Sequence, residues 1–187
     1  MTIYDTNPLT ILTTGSRDYT DAALVSAALR SIYAMVPVHH APSGVIVRHG
    51  DGRGADQLVD QQARAFGWAT YKHPADWDTY GREAGMRRNR EMARADNHIA
   101  VAFPLHPLPD YGQRIPGSVG TWNTVFLAAE QELPVFVVWG SQLWTYNQEA
   151  TDHLHEHVQR YNIAHMVIRH DEQKHAIELN DLLTYSG

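Results

Sequence analysis

Short apolar runs recur along this chain, and each one is followed by a polar or glycine-rich loop or by a helix-forming segment. Continuous apolar runs of this length are typical of strands that are buried on both faces. Strands that alternate with helices predict a parallel sheet covered by helices on both sides. The predicted strands are residues 9–13, 44–48, 68–72, 98–103 and 134–139.

Helix-forming segments fill the gaps between these strands. We predict helices over residues 22–35, 55–66, 84–95 and 121–132, with Thr20-Asp21 as the N-cap of the first. The fold class is therefore α/β, a Rossmann-like, doubly wound and mainly parallel sheet of five or more strands. Residues 1–140 are expected to form this core, and residues 141–187 a C-terminal extension packed on it, within a single domain overall.

Composition narrows the class of protein. The chain has 187 residues, 43% of them hydrophobic and 19% charged, which is typical of a soluble globular domain. The net charge of −6 argues against binding to duplex nucleic acid, which needs a basic surface. The sequence has no cysteine, no apolar run of membrane-spanning length and no signal-peptide pattern. We therefore expect a cytoplasmic protein without a membrane partner.

The loop before the fourth predicted helix has the composition of a phosphate site. Gly117 and Gly120 allow the backbone to approach a ligand closely, and Ser118 and Thr121 add hydroxyl groups. The N–H groups at the start of the helix point at the same place, and this combination favours binding of a phosphate. An ordinary tight turn into a helix is the alternative interpretation.

Glycines also follow the first two strands. Gly15, Ser16 and Arg17 can form a second anion-binding turn, or simply a turn with a solvated arginine. The next loop lacks the G-x-G-x-x-G spacing of a dinucleotide fingerprint, so it predicts a floor for a ribose or a phosphate instead. Its candidate binding residues are Gly50, Gly52, Gly54 and Asp56. Asp56 is equally credible as a first-turn charge that complements the dipole of the following helix.

Polar and aromatic residues are dense between positions 73 and 83. Trp77 or Tyr80 is a candidate for stacking on a base. Asp76, Asp78 and Glu83 are candidates for acid–base chemistry at a glycosidic bond, and a capped loop with surface charges is the alternative. His153 and His157 have helical i,i+4 spacing but no evident third ligand, so no metal site is predicted.

The ordered set of these motifs resembles a known family. The set consists of T-G-S-R-D, H-G-D-G-R-G-A-D, H-P-A-D-W, Y-G-R-E-A-G-M-R-R-N-R-E-M and G-S-V-G-T. It is similar to the YspA-related branch of the SLOG superfamily, which also includes the Lonely Guy phosphoribohydrolases and the DNA-processing protein A fold. The resemblance implies a protein with a Rossmann-like sheet that binds a nucleotide or a nucleotide-derived ligand. It also implies a homo-oligomer, with a dimer favoured. We expect that no cofactor is required.

Two departures from the Lonely Guy signatures concern catalysis. In the signature P-G-G-x-G-T-x-x-E, Thr124 stands where those hydrolases carry glutamate. The second signature, Gly-Met followed by Arg-Lys, singles out Arg88 and has Asn89 in place of the lysine. The resemblance thus favours binding or sensing of a nucleoside monophosphate, NAD or an ADP-ribose-like ligand.

Two other functions stay open at this point. The first is a nucleotide N-glycosidase, with Asp76, Asp78 or Glu83 as its carboxylate and Arg88 as electrostatic support. The second is a non-catalytic interaction scaffold that uses residues 139–146 and the C-terminal extension.

Overall fold

The computed structural model describes residues 8–35, 44–106, 118–153, 169–171 and 174–178. Eight strands lie in these residues: β1 Leu9–Gly15, β2 Val45–His49, β3 Ala69–Lys72, β4 Ile99–Phe103, β5 Val135–Trp139, β6 Gln142–Thr145, β7 Arg169–Asp171 and β8 Lys174–Glu178. The helices are α1 Ala22–Met35, α2 Ala55–Ala65, α3 Trp77–Tyr80, α4 Ala84–Arg94 and α5 Val119–Glu130, with a 3-10 turn at Gly81–Glu83.

All of these strands belong to one sheet with the order β3-β2-β1-β4-β5-β6-β8-β7. The first five strands in that order are parallel, and β6, β8 and β7 continue the sheet in antiparallel pairs. The chain leaves β1 toward β2 on one side and returns to β4 on the other side of β1. The carboxyl ends of β1 and β4 therefore form a topological switch point, the place where sheets of this kind bind ligands.

Helices cover both faces of the parallel part. On one face α1 and α2 pack through Leu29, Ile32 and Val59 against Ile11 and other β-strand residues. On the other face α4 and α5 contribute Met92, Trp122 and Val125, which pack against Leu12 and its neighbours. Successive β1 side chains thus serve opposite cores, because side chains alternate across a strand. The predicted doubly wound α/β fold is confirmed.

The structure adds elements that the sequence pattern did not indicate. Residues 77–83, predicted as a polar segment, form α3 and the 3-10 turn. Strand β6 follows β5 after the two residues Gly140 and Ser141 and pairs with it. In the tail, residues 148–153 are helical. The proposed division at residue 140 stays a prediction.

The loops after β1 and β2 are fixed against each other through backbone contacts. The Ser16 N–H donates to the Phe103 carbonyl over 3.0 Å, and the Ser16 carbonyl accepts from the Ala55 N–H over 3.1 Å. Gly54 precedes α2 with a φ of 74° and a ψ of −121°, a conformation that favours glycine. A Cβ atom at position 54 would overlap the Arg17 carbonyl. The two loops can therefore approach each other only with glycine at this position.

This contact predicts opposite results for two glycine-to-alanine variants. Gly54→Ala should lower the free energy of unfolding by roughly 2 kcal/mol or more, because alanine is strained at that φ and clashes with Arg17. Gly120→Ala lies in α5 with open space around a Cβ atom, so it should be neutral or stabilising by up to about 1 kcal/mol. Urea unfolding monitored by circular dichroism measures both. Equal stabilities for the two variants would contradict the described loop packing.

Candidate functional site

Four segments meet in an open cleft at the switch point. The cleft has a volume of about 380 Å³, within the usual range for small-molecule sites. It is lined by the loops after β1 and β2, by one face of α4 and by the start of α5. The lining residues are Thr13, Thr14, Gly15, Ser16, Arg17, Asp18, Gly50, Gly52, Arg53, Asp56, Arg82, Gly85, Met86, Arg88, Asn89, Met92, Ser118, Val119, Gly120 and Thr121.

Most of the residues expected to bind a ligand are brought together by this cleft. The three loops named in the sequence contribute Gly15, Ser16 and Arg17, then Gly50, Gly52 and Asp56, then Ser118, Gly120 and Thr121, and α4 contributes Arg88. Gly54 lies beneath them as the glycine of the loop contact. Gly117 lies outside the described residues.

The start of α5 is the part of the cleft with open hydrogen-bonding groups. Ser118 is the N-cap residue, but its side chain makes no capping hydrogen bond. Its hydroxyl is buried and has no hydrogen-bond partner among the residues the structure describes. The first N–H groups of a helix also lack partners within that helix. An unpaired hydroxyl and a helix N-terminus thus meet at one wall of the cleft.

The other helices that start beside the cleft already carry a carboxylate at their N-termini. In α1, the Asp21 carboxylate accepts the Leu24 N–H over 2.9 Å. In α2, Asp56 lies in the first turn, where a negative charge complements the helix dipole. Of the helices α1, α2 and α5, only α5 presents an N-terminus without an acidic residue in its first turn or a capping side chain. Among these three helices, α5 is the one suited to an external anion. Helix α4 also lacks an acidic residue in its first turn, but its N-cap residue is the carboxylate-bearing Glu83.

Arg88 holds the centre of the cleft in place. Its Nη1 donates to the Gly50 carbonyl and, over 3.0 Å, to the His73 carbonyl. Its Nε donates to the Asn89 Oδ1 over 3.0 Å. A Cβ atom at position 50 would overlap the guanidinium, so a larger residue there would push the end of the Arg88 side chain out of this position. The Nη2 group makes no hydrogen bond within the described residues, which leaves it available to a ligand in the cleft.

Asn89 extends this network to α5. It is almost fully buried, and its Nδ2 donates to the Gly120 carbonyl and to the Asn123 Oδ1, each over 3.2 Å. The amide therefore fixes the first turn of α5 relative to Arg88. In the sequence, Asn89 stood out only because it replaces the lysine of a related signature. The role of Asn89 as a bridge between α4 and α5 follows from the packing of these two helices.

Asp56 is the buried carboxyl of the cleft. It is 8% exposed, and its Oδ2 accepts the Gly52 N–H over 3.0 Å. Burial raises the pKa of Asp56, and this effect is opposed by the Gly52 hydrogen bond and by the positive charge of Arg88. The carboxyl thus shapes the glycine-rich loop from inside the cleft.

The three carboxylates considered for catalysis lie elsewhere. Asp76, Asp78 and Glu83 are exposed and do not line the cleft. Asp76 is the N-cap of α3 and accepts the Thr79 N–H over 3.0 Å. Thr124, at the position of the glutamate in the related hydrolases, is buried and donates its hydroxyl to the Gly120 carbonyl.

Charge is distributed unevenly between the cleft and the rest of the chain. Among the described lining residues there are four arginines (Arg17, Arg53, Arg82 and Arg88) and two aspartates (Asp18 and Asp56). Arg53 pairs with Asp18 over 3.2 Å at the exposed rim. A chain with a net charge of −6 therefore has a cleft with an excess of positive groups. Arg53 and Arg82 were not predicted as site residues, because only the packing of their loops brings them to the cleft.

The buried His49 supports the loop after β2 from below. Its Nδ1 accepts the Asp51 N–H over 3.2 Å, so its Nε2 carries the proton and donates to the Asp60 carboxylate over 3.3 Å. Partial burial would raise the pKa of Asp60, but hydrogen bonds from Arg64, Thr70 and His49 lower it to about 2. The conformation of Asp51, which has a φ of 55°, thus depends on the hydrogen-bonded His49–Asp60 pair behind the cleft.

Neither a membrane helix nor a metal-binding cluster is found in the described residues. No helix there is both long and apolar enough to cross a membrane. Nor do those parts of the chain bring three or more histidine, cysteine, aspartate or glutamate side chains into a group that could hold a metal ion.

Comparisons with known proteins agree with this architecture. A family model described as YAcAr, the YspA, cpYpsA-related SLOG family, matches residues 9–80, which run from β1 to α3. The Gene 61 protein of Mycobacterium phage D29 is 39% identical over 130 residues, which cover 67% of this chain and 92% of that protein.

A solved structure gives the same result for the fold. The chain is similar to the X-ray structure of DNA processing protein A from Streptococcus pneumoniae, with a TM-score of 0.50 and 14% sequence identity. The similarity covers 83% of this chain but 57% of that protein. At this identity it concerns the fold alone.

The Asp60 interactions predict how stability changes in acid. Because the pKa of Asp60 is lowered in the folded state, its contribution is complete above about pH 4 and is lost as the pH falls toward 2. Asp60→Asn should cost roughly 1–3 kcal/mol at pH 7, and the difference from the wild type should shrink between pH 4 and pH 2. Urea unfolding at several pH values measures this difference. The exposed Asp78→Asn serves as the matched control, and an equal effect of both substitutions would contradict the assignment.

Proposed function

Because the chain belongs to the YspA, cpYpsA-related SLOG family, we propose that its cleft binds a nucleotide or a nucleotide-derived ligand. The ligand class comprises nucleoside monophosphates, NAD and ADP-ribose-like molecules, each of which carries a phosphate on a ribose. In this proposal the phosphate lies at the start of α5. The protein then acts by binding or sensing that ligand.

One observation carries the proposal: the buried hydroxyl of Ser118 has no partner among the described residues and lies at a helix N-terminus without a capping side chain. Burying a hydroxyl without a partner costs free energy, so such a group is expected to acquire one in the functional state. A phosphate oxygen supplies an acceptor for both the hydroxyl and the first N–H groups of α5. The Asp21 carboxylate would repel the same anion at the start of α1, and the Asp56 side chain already lies in the first turn of α2, which leaves the start of α5 open to it.

The arginines of the cleft support a negatively charged ligand. The free Nη2 of Arg88 lies in the half-buried centre, where a charged hydrogen bond is worth more than at an exposed site. Arg17 and Arg82 are exposed at the rim and can approach a second phosphate or draw the anion in. The glycines of the second loop leave room near Asp56 for a ribose.

Blocking the open side of α5 tests the phosphate site. Gly120→Trp should leave the fold intact, since no atom lies within 4 Å of a Cβ atom there, and it should fill the cleft. Isothermal titration with ribose 5-phosphate, AMP, NAD and ADP-ribose should show wild-type binding, and a loss of about tenfold or more in the variant. Glu130→Trp, on the exposed end of the same helix, is the matched control. Unchanged affinity in Gly120→Trp would place the site elsewhere.

A second function, hydrolysis of the N-glycosidic bond, is favoured by one observation of its own. Asp56 is a buried carboxyl in the cleft, whereas Asp76, Asp78 and Glu83 are outside it. A carboxyl with a raised pKa is suited to general acid catalysis. In this reaction Asp56 donates its proton to the departing base nitrogen as the bond from C1′ breaks. Water then adds to C1′, and the proton that it releases returns to Asp56.

The Asp56→Asn variant separates hydrolysis from binding. Asparagine can still accept the Gly52 N–H, so the loop and the affinity for ribose 5-phosphate should be kept. If the wild type releases base from a nucleoside monophosphate, the variant should lose that activity by about 100-fold or more, as expected for a missing general acid. Asp78→Asn is the matched control and should stay active. Chromatography of the released base measures the rate, and no release by the wild type would refute hydrolysis of that substrate while leaving binding intact.

A further inference from the structure

A large exposed aromatic ring stands beside the proposed phosphate cleft. Trp77 is the first residue of α3, and 49% of its surface is exposed. The Asp76 cap fixes the start of this short helix. A single exposed ring is common on protein surfaces, so the contacts of Trp77 with the cleft decide its role.

Two contacts connect Trp77 with the cleft. A Cβ atom at position 85 would lie 3.3 Å from the Cη2 of Trp77, so the ring lies close against the first turn of α4 at a glycine. On another side the Arg17 Cζ lies 5.9 Å from the ring centroid, near the outer limit of a cation–π contact. Gly85 and Arg17 both line the cleft. The ring therefore extends the wall of the cleft outward.

The neighbouring aromatic residue is arranged differently. Tyr80, in the same helix, is 42% exposed, but the Arg87 Cζ lies over its ring at 4.1 Å. Arg87 is exposed and does not line the cleft. Of these two rings, Trp77 is thus the one in contact with cleft residues, and Tyr80 already has a close cationic partner.

We propose that Trp77 is the platform on which the aromatic base of the ligand stacks, with Arg17 at the edge of the stacked pair. This inference rests on the proposed function, since it assigns the other end of a ligand whose phosphate is held by α5. Stacking uses the face of a base and not its hydrogen-bonding edge, so it accepts any base. Purines should gain more affinity than pyrimidines, because they cover more of the indole.

The test compares ligands with and without a base. Isothermal titration would use AMP, CMP and ribose 5-phosphate with the wild type, Trp77→Ala, Trp77→Phe and Tyr80→Ala. Trp77→Ala should weaken AMP binding by roughly tenfold or more, as expected for the loss of one base–aromatic stack, without changing the affinity for ribose 5-phosphate. Trp77→Phe should keep most of the AMP affinity, and Tyr80→Ala should bind like the wild type.

Fluorescence provides a second readout. AMP should quench the tryptophan emission of the wild type, and this quenching should disappear in Trp77→Phe even though binding is kept. Equal losses for AMP and ribose 5-phosphate in Trp77→Ala, or no loss at all, would overturn the stacking role while leaving the phosphate site intact. If the wild type binds neither compound, the proposed function fails and this inference fails with it.

Discussion

The geometry of the cleft depends on one guanidinium group. Arg88 donates to carbonyl oxygens in the segments after β2 and β3 and to the side chain of Asn89, which in turn holds the first turn of α5. A parallel sheet brings these three loops to one edge. The contacts of Arg88 and Asn89 then fix the loops relative to one another. Because a buried charged donor is costly to leave unpaired, losing one of these acceptors should destabilise the arrangement. The Nη2 of the same group makes no hydrogen bond within the described residues and faces the ligand in our proposal.

The distribution of acidic residues explains why one helix and not another is suited to a phosphate. Every helix that begins at this edge of the sheet has a positive N-terminal end. At α1 and α2 that end is complemented by Asp21 and Asp56, whereas at α5 no acidic side chain of the described residues does so. The N-terminus after β1 is the customary place for a phosphate in dinucleotide-binding sheets. Here the corresponding helix is capped by a carboxylate, and the anion site that we propose lies on the other side of the switch point.

Predictions from the sequence were accurate where the signal is local and weaker where it depends on contacts. The long strands and helices were found within a few residues, because apolar periodicity and capping residues act over short distances. Strand β6 was missed, although the Gly140-Ser141 pair after an apolar strand is a recognisable hairpin signal. Segment 77–83 was read as a polar stretch because its few apolar residues are exposed in the structure and give no core-facing periodicity. The carboxylates of that segment were considered for catalysis because the sequence does not show which side chains face a cleft, and in the structure they lie outside it.

The sequence by itself determined the order of strands and helices, the parallel sheet and the loops that gather at its edge. It did so because the glycines, the hydroxyl residues and the apolar strands each have a local conformational preference. Only the tertiary structure decided which polar groups face the cleft. Asp56 is buried inside it, Asp76 is used as a cap outside it, and Ser118 is left without a partner in the described residues. Those outcomes depend on how α2, α3 and α5 pack against parts of the chain that are distant in sequence. A local sequence pattern does not encode such long-range contacts.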